Sequence, residues 1–456
     1  MSSRLRTQII LSLVLAGLQI LLCTASGAEI SFSREIAPVI ATKCVTCHNA
    51  EKTKGGYRLD TFHWMQQPGK SKEAPIAPAS PDRSHLFRLL TAKDPDDRMP
   101  QKDEALPEVQ ITLIENWIRQ GARFDGGSTN QPLASLANEN RRAKTPLRYN
   151  FAPPVFALAF GPEGQWLAAN GYGEITIWNA ADGKLLRRIA QMPQKVQALT
   201  YNPKADALLA CGGTPGLSGE LIVIEHPDNP KPRILANASD LFLDAIFSPD
   251  GKTIATTGTD NAIHLYQYPG GRERQTVQQH ADWVNNIVFN HEGVRFASAS
   301  RDRTCRVFST ATGELETTYT GHDGPVVAIA FSADDKTVYS AARDRKIHVW
   351  QVSDGKKTSE ITGFEGEVLK LRVQEQRLFV CCADKLVYEY DSAGKEQRTY
   401  RGHNDWVYAF SMDAPRERFA TGAFDGEIRI WNMQSGDLEL VFHAAPGLGN
   451  AMLRQP

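Results

Sequence analysis

At 456 residues the chain is longer than one ordinary domain, and two or three units of about 100–300 residues are expected. Its 51 Lys and Arg nearly cancel 52 Asp and Glu, leaving a formal net charge of −1. That balance excludes a global field for nucleic acid or anionic lipid, so no nucleic-acid partner is expected.

The chain opens with Arg4 and Arg6, then an apolar run from Ile9 to Cys23. The run is shorter than the roughly 20 residues that span a bilayer. Small residues follow at Ser26, Gly27 and Ala28, which predicts a secretory signal over 1–28 cleaved before Glu29. Lipidation at Cys23 is the weaker alternative, because Leu22 stands where a small residue is expected. No later stretch is apolar enough to span a membrane. The mature protein is expected in the periplasm or cell envelope, an oxidising compartment.

Residues 29–125 read as a small, mainly α domain. Phe32 and Ser33 offer a staple and an N-cap for the apolar stripe Ile36, Val39, Ile40 that leads into Cys44. A second helix, entered after Pro107, carries Val109, Leu113, Trp117 and Gly121 at four-residue steps. Residues 126–149 are polar and read as a linker. From 150 to 445 the chain repeats: Trp178, Ile224, Tyr266, Phe308, Trp350, Tyr390 and Trp431 close successive β-rich segments. Seven units result. The fifth shows four strands, Val326 to Phe331, Thr337 to Ala341, Ile347 to Val352 and Lys357 to Thr362. Such small sheets must pack radially to bury both faces, which predicts an all-β seven-bladed propeller followed by a tail at 446–456.

The strongest chemical signal is Cys44-Val45-Thr46-Cys47-His48. Two thiols three residues apart can form thioethers with the two vinyl groups of a haem, and the adjacent His can reach the iron. The competing readings are a zinc ligand pair and a disulfide. Zinc needs a second ligand pair, and no other cysteine lies between Glu29 and Leu147. The expected cofactor is one covalent haem c, with Cys44 and Cys47 as attachment points and His48 as proximal ligand. Of the domain's two methionines, Met65 follows Trp64 in an apolar stretch and reads as core. Met99, in Arg98-Met99-Pro100, is the expected distal ligand; His63 and His85 read as surface or satisfied residues.

These residues carry a resemblance. Phe32-Ser33-Arg34-Glu35-Ile36, the Cys-x-x-Cys-His motif, Gly55-Gly56-Tyr57-Arg58-Leu59-Asp60, Pro81-Asp82-Arg83-Ser84, Arg98-Met99-Pro100 and Asn116-Trp117-Ile118-Arg119-Gln120-Gly121-Ala122 together resemble the planctomycete-type cytochrome c domain. The resemblance implies haem c on the residues already singled out. One departure is Gln101, where a second proline often follows the Met-Pro step.

The repeats resemble WD repeats. His280, Ser298, Asp302 and Phe308, then His322, Ser340, Asp344 and Trp350, then His403, Thr421, Asp425 and Trp431, keep identical spacings. In that family the set forms a buried network pinning each blade. A catalytic Ser-His-Asp triad is disfavoured, because a catalytic set would occur once and this one recurs in three of the repeats. The sixth unit replaces His and hydroxyl with Phe364 and Val380 but keeps Asp384 and Tyr390. Cys211, Cys305, Cys381 and Cys382 read as small buried hydrophobes. Blade-end loops carry Trp283, Arg301, Pro325, Arg343, Trp406, Tyr408 and Phe424, residue types that anchor protein interfaces.

The expectation is an exported electron carrier whose propeller docks a redox partner protein. The alternatives are a redox enzyme with a second cofactor or substrate site in the propeller, and a haem-based sensor. His226, His264, His291, His348 and His443 have no ligand-like spacing, which disfavours a second metal centre.

Overall fold

The computed structural model describes residues 29–448 except 51, 102–103, 135, 138–144, 205–206, 217, 228–229 and 239. The expected signal, 1–28, lies outside the described residues, as does most of the tail. The chain divides between Arg141 and Arg142 into two compact units.

The first unit is helical. Ser31 accepts a hydrogen bond from the Arg34 N–H at 3.1 Å and starts a wide, π-helical turn, Phe32–Ile36, that runs into α1, Ala37–Lys43. Ser33 is therefore not the cap: its own N–H donates to Asp125 Oδ1 at 2.7 Å. Among the described residues, α2 (Phe62–Met65), α3 (His85–Leu90) and α4 (Glu108–Arg119) follow. Phe32 packs its ring against Phe62 and Trp117 at 4.7 and 5.3 Å, and Ile36, Ile40 and Met65 complete a core from which water is excluded. Fully burying each such side chain contributes roughly 1.5–3 kcal/mol. In α4 the buried face is Ile114, Trp117 and Ile118, while Val109 is 79% exposed. At about 100° per residue Val109 stands roughly 140° around the helix from Ile114 and roughly 180° from Ile118, so it falls on the face opposite the buried one.

Parts of the stretch expected as a linker, 126–149, are packed against one unit or the other. The Leu133 N–H donates to the Asp60 carbonyl at 2.8 Å, His63 N–H to the Thr129 carbonyl at 2.8 Å, and Leu133 and Leu136 join the helical core. At the other end, Tyr149 Oη donates to Glu174 at 2.7 Å and Arg188 to the Leu147 carbonyl at 3.0 Å, within the β unit. Apolar side chains in a polar-looking segment drive this docking.

Among the described residues, the β unit forms five four-stranded antiparallel blades and one seven-stranded sheet, instead of seven separate four-stranded blades. The fused sheet, 158–238, owes its continuity to one strand of 17 residues, Leu185–Tyr201. Its first half pairs with Tyr172–Asn179 and its second half with Ala207–Thr214. Elsewhere a short loop, carrying His280, His322 or His403 in three of the cases, interrupts the chain between one blade's outer strand and the next blade's inner strand. Here Gln191-Met192-Pro193-Gln194-Lys195 stands in its place, Met192 is fully buried, and the chain stays extended. The fifth repeat forms strands at Val326–Phe331, Thr337–Ala342, Ile347–Gln351 and Lys357–Ile361.

The first strand of each blade lies innermost and adjoins its neighbours, and the ring closes where Leu158–Phe160 meets Val407–Asp413. An apolar cluster containing Val155, Trp178, Ala409 and Ile430 seals that seam, together with the Phe160 N–H donating to Ser411 Oγ at 2.9 Å.

Candidate functional site

The Cys-x-x-Cys-His segment continues α1 as a run of tight turns: Cys44 N–H donates to the Ile40 carbonyl at 2.9 Å and His48 N–H to the Cys44 carbonyl at 3.1 Å. Residues three and four apart on such a turn share a face. Cys44, Cys47 and His48 therefore line one cavity of about 250 Å³, with Leu59 and Tyr57 beside them, Leu86, Leu89 and Leu90 from the α3 segment, and Met99 and Pro100 opposite in sequence. Both thiols are free. Burial, reinforced by neighbouring Cys47, pushes the Cys44 thiol up to about 12, so it is held as S–H.

The imidazole is oriented by backbone. His48 Nδ1 lies 3.0 Å from the Tyr57 carbonyl oxygen. A carbonyl can only accept, so in the neutral ring Nδ1 carries the hydrogen and Nε2 keeps its lone pair. The fixed tautomer is the one that metal-ligating histidines adopt when their other nitrogen is tied to a carbonyl. The turn that delivers Tyr57 depends on Gly55 and Gly56, with φ of 64° and 70°. A Cβ at Gly56 would also meet the Lys70 side chain at 2.9 Å. Burial, with Cys44 second, raises the Tyr57 phenol, whose hydroxyl donates to the Met65 carbonyl at 2.7 Å.

Met99 is half-buried against the helical core, its N–H held by the Leu89 carbonyl at 3.0 Å. Met65 is fully buried and away from the cavity lining. His63 is exposed. His85 stands on the cavity wall, a placement the sequence did not signal, with Nδ1 3.2 Å from Arg88. Two thiols, one oriented imidazole and a thioether around an apolar cavity form a donor set that fits haem c.

In the β unit the recurring set closes on itself. His280 bonds Asp302 at 2.8 Å through Nδ1 and Ser298 at 2.7 Å through Nε2. Phe308 packs without a donor. His322 bonds Asp344 and Ser340, each at 2.9 Å, and Trp350 Nε1 donates to Ser340 at 3.1 Å. His403 and Trp431 share Thr421 Oγ1 at 2.7 and 2.9 Å. In this last blade the carboxylate beside His403 is not Asp425, which caps the Glu427 N–H instead. Glu427 lies 3.2 Å from His403 Nδ1 and pairs with Arg429. Its longer side chain reaches from two residues further on. Burial alone raises the Glu427 carboxyl, but hydrogen bonds from His403 and Arg429 outweigh it and hold it at about 2.

The blade at 368–400 replaces His with buried Phe364, whose ring meets Tyr388 at 5.3 Å. Asp384 then accepts from Tyr388 Oη at 2.8 Å, a partner the repeat pattern had not indicated. Cys211, Cys305, Cys381 and Cys382 are buried and free. His264 and His291 are engaged by carboxylates. His322, Asp344 and His348 bring ligating atoms within 4.8 Å of one another. The two rings are stacked nearly parallel at 4.0 Å, so their in-plane lone pairs cannot converge on one ion, and both nitrogens of His322 are already bonded.

Residues 44–103 match the planctomycete cytochrome C family. Residues 236–267, 271–309, 313–351 and 394–432 match the WD domain, G-beta repeat. The chain joins a planctomycete-type cytochrome c domain to a WD40 β-propeller. A segment of 56 residues is 39% identical to THO complex subunit 6 of Drosophila melanogaster; it covers 12% of this chain and 16% of that protein. The fused sheet of the cytochrome–propeller chain, without the His network, falls mostly outside the matched repeats. Among the described residues no helix is long and apolar enough to cross a membrane.

Proposed function

We propose that this protein is an exported electron carrier. It would hold one haem c through Cys44 and Cys47, with His48 and Met99 as axial ligands, and dock a redox partner through its propeller. The observation that carries the reading is the His48 tautomer: Nδ1 fixed on the Tyr57 carbonyl leaves Nε2 as the ligand on a cavity shared with both thiols and Met99. A haem bound there supplies reversible one-electron chemistry. The chain's own residues do the rest. Leu59, Leu86 and Leu90 would keep water from the cavity, the two thiols would anchor the group, and the Met99 thioether would exclude outside ligands from the iron. Export rests on the signal pattern of residues 1–28, and periplasmic residence follows from it.

We further infer that the seven-stranded sheet acts as two blades sharing Leu185–Tyr201, which makes the ring sevenfold. Its support is that this strand pairs on both sides in the manner of one blade's outer and the next blade's inner strand.

The test of closure is spectroscopic. The oxidised protein should show a weak far-red sulfur-to-iron band and should not bind CO when reduced. Met99→Ala should lose the band and gain CO binding, while His85→Ala should change neither. CO binding by the unaltered protein would favour the sensor or enzyme reading. For docking, Trp283→Ala/Trp406→Ala should slow oxidation by a periplasmic extract and leave the rate with ferricyanide unchanged.

A further inference from the structure

Two blades present the same short loop, and only one of them is complete. In Asp282-Trp283 the Asp282 side chain caps the Trp283 N–H at 2.8 Å. In Asp405-Trp406 the Asp405 side chain caps the Trp406 N–H, also at 2.8 Å. The residue facing each Trp is fixed by the same backbone bond: Arg301 N–H to the Trp283 carbonyl at 2.8 Å, Phe424 N–H to the Trp406 carbonyl at 2.9 Å. In the first blade the Arg301 guanidinium lies 4.8 Å from the Trp283 ring centre and 3.4 Å from Asp282. In the second, phenylalanine replaces that arginine. Trp406 is 48% exposed and Phe424 44%, and among the described residues no cation pairs with Asp405.

We propose that the Asp405–Trp406 loop is a receptor for an arginine side chain of the partner protein, bound as Arg301 is bound within the chain. This rests on the reading of the propeller as a docking module. The chain itself displays the ligand: the same carboxylate and indole, set by the same backbone, already hold a guanidinium three repeats earlier in the chain. Phe424 packs on Tyr408 at 6.0 Å, and Tyr408 on Phe156 at 5.3 Å. These rings touch one another, so they form a floor against which apolar neighbours of the incoming arginine can rest, not a cage that would enclose an ammonium group. A planar guanidinium can stack on the indole and pair with the carboxylate together, which a lysine cannot match.

The test uses the full chain labelled with 5-fluorotryptophan, the Trp406 signal being the one absent in Trp406→Phe. Acetyl-Gly-Arg-Gly-amide should shift this signal saturably, and the citrulline analogue, equal in shape but uncharged, should bind about fivefold more weakly or less. Asp405→Asn should lose the discrimination. Phe424→Arg should fill the site from within and abolish the response while the melting temperature holds. Equal binding of the citrulline peptide, no saturable shift, or an undiminished response in Phe424→Arg would overturn the proposal. A null titration together with a slowed extract reaction in the double tryptophan variant would remove the arginine receptor and keep docking; an unchanged extract rate would remove docking itself.

Discussion

The helical unit and the propeller use histidine in opposite ways. His48 has one nitrogen tied to a backbone carbonyl and the other left on a cavity that also holds two free thiols and a thioether. His322 has both nitrogens engaged, by Asp344 and Ser340, as His280 has by Asp302 and Ser298 in the preceding repeat. A polar group whose bonds close locally is architecture, because its desolvation is compensated and nothing is left for a ligand. A polar group held in one tautomer with an open valence on an apolar cavity is a site. Residue type alone does not separate the two.

The largest expected effect comes from breaking the site. Cys44→Ala or Cys47→Ala leaves at most one thioether, and most covalently held haem should be lost. The propeller transition in calorimetry should persist, since each unit has its own buried core. Intact haem-stained bands on denaturing gels for both variants would contradict the assignment.

In the blade at 368–400, Phe364→Ala removes a buried ring packed on Tyr388 and Tyr390. It should cost about 3–5 kcal/mol of propeller stability, measured by denaturant unfolding. Glu427 gives a smaller, pH-dependent effect. Its carboxyl is held at about 2 against an ordinary 4.5, so the folded state gains stability that is fully present above 4.5 and lost as pH falls towards 2. Glu427→Gln should flatten that stretch of the stability curve by roughly 2–3 kcal/mol, and an unchanged slope would show that the pairing contributes nothing. His322→Ala strands Asp344 and Ser340 and should cost about 1–3 kcal/mol with no change in the haem spectrum. Loss of electron transfer at constant melting temperature would mean that architecture had been mistaken for chemistry.

Much of this was legible in the sequence because the signals were local. The Cys-x-x-Cys-His spacing determines which side chains share a helical face, and the strands of the fifth repeat fall within one residue of their expected bounds. What escaped depended on packing and reach. The continuity of Leu185–Tyr201 goes with the burial of Met192 at the point where the chain passes from one set of strands to the next, and no local pattern announces that burial. Glu427 takes the carboxylate position beside His403 through an extra methylene and two residues of offset, which repeat alignment assigns to Asp425. The docking of Leu133 and Leu136 on the helical core was hidden by the polar residues around them. His85 reaches the cavity through the placement of the α3 segment, which no local pattern encodes.

The central claim, that Cys44, Cys47 and His48 form a haem c site and not a zinc site or a disulfide, is tested most directly by a pyridine haemochrome spectrum. The protein should be matured in a host that attaches haem c, denatured, and extracted with acidified acetone before measurement. One c-type haem per chain, remaining with the polypeptide through the extraction, is the predicted result; a chain without haem, or with haem that extracts completely, would contradict it.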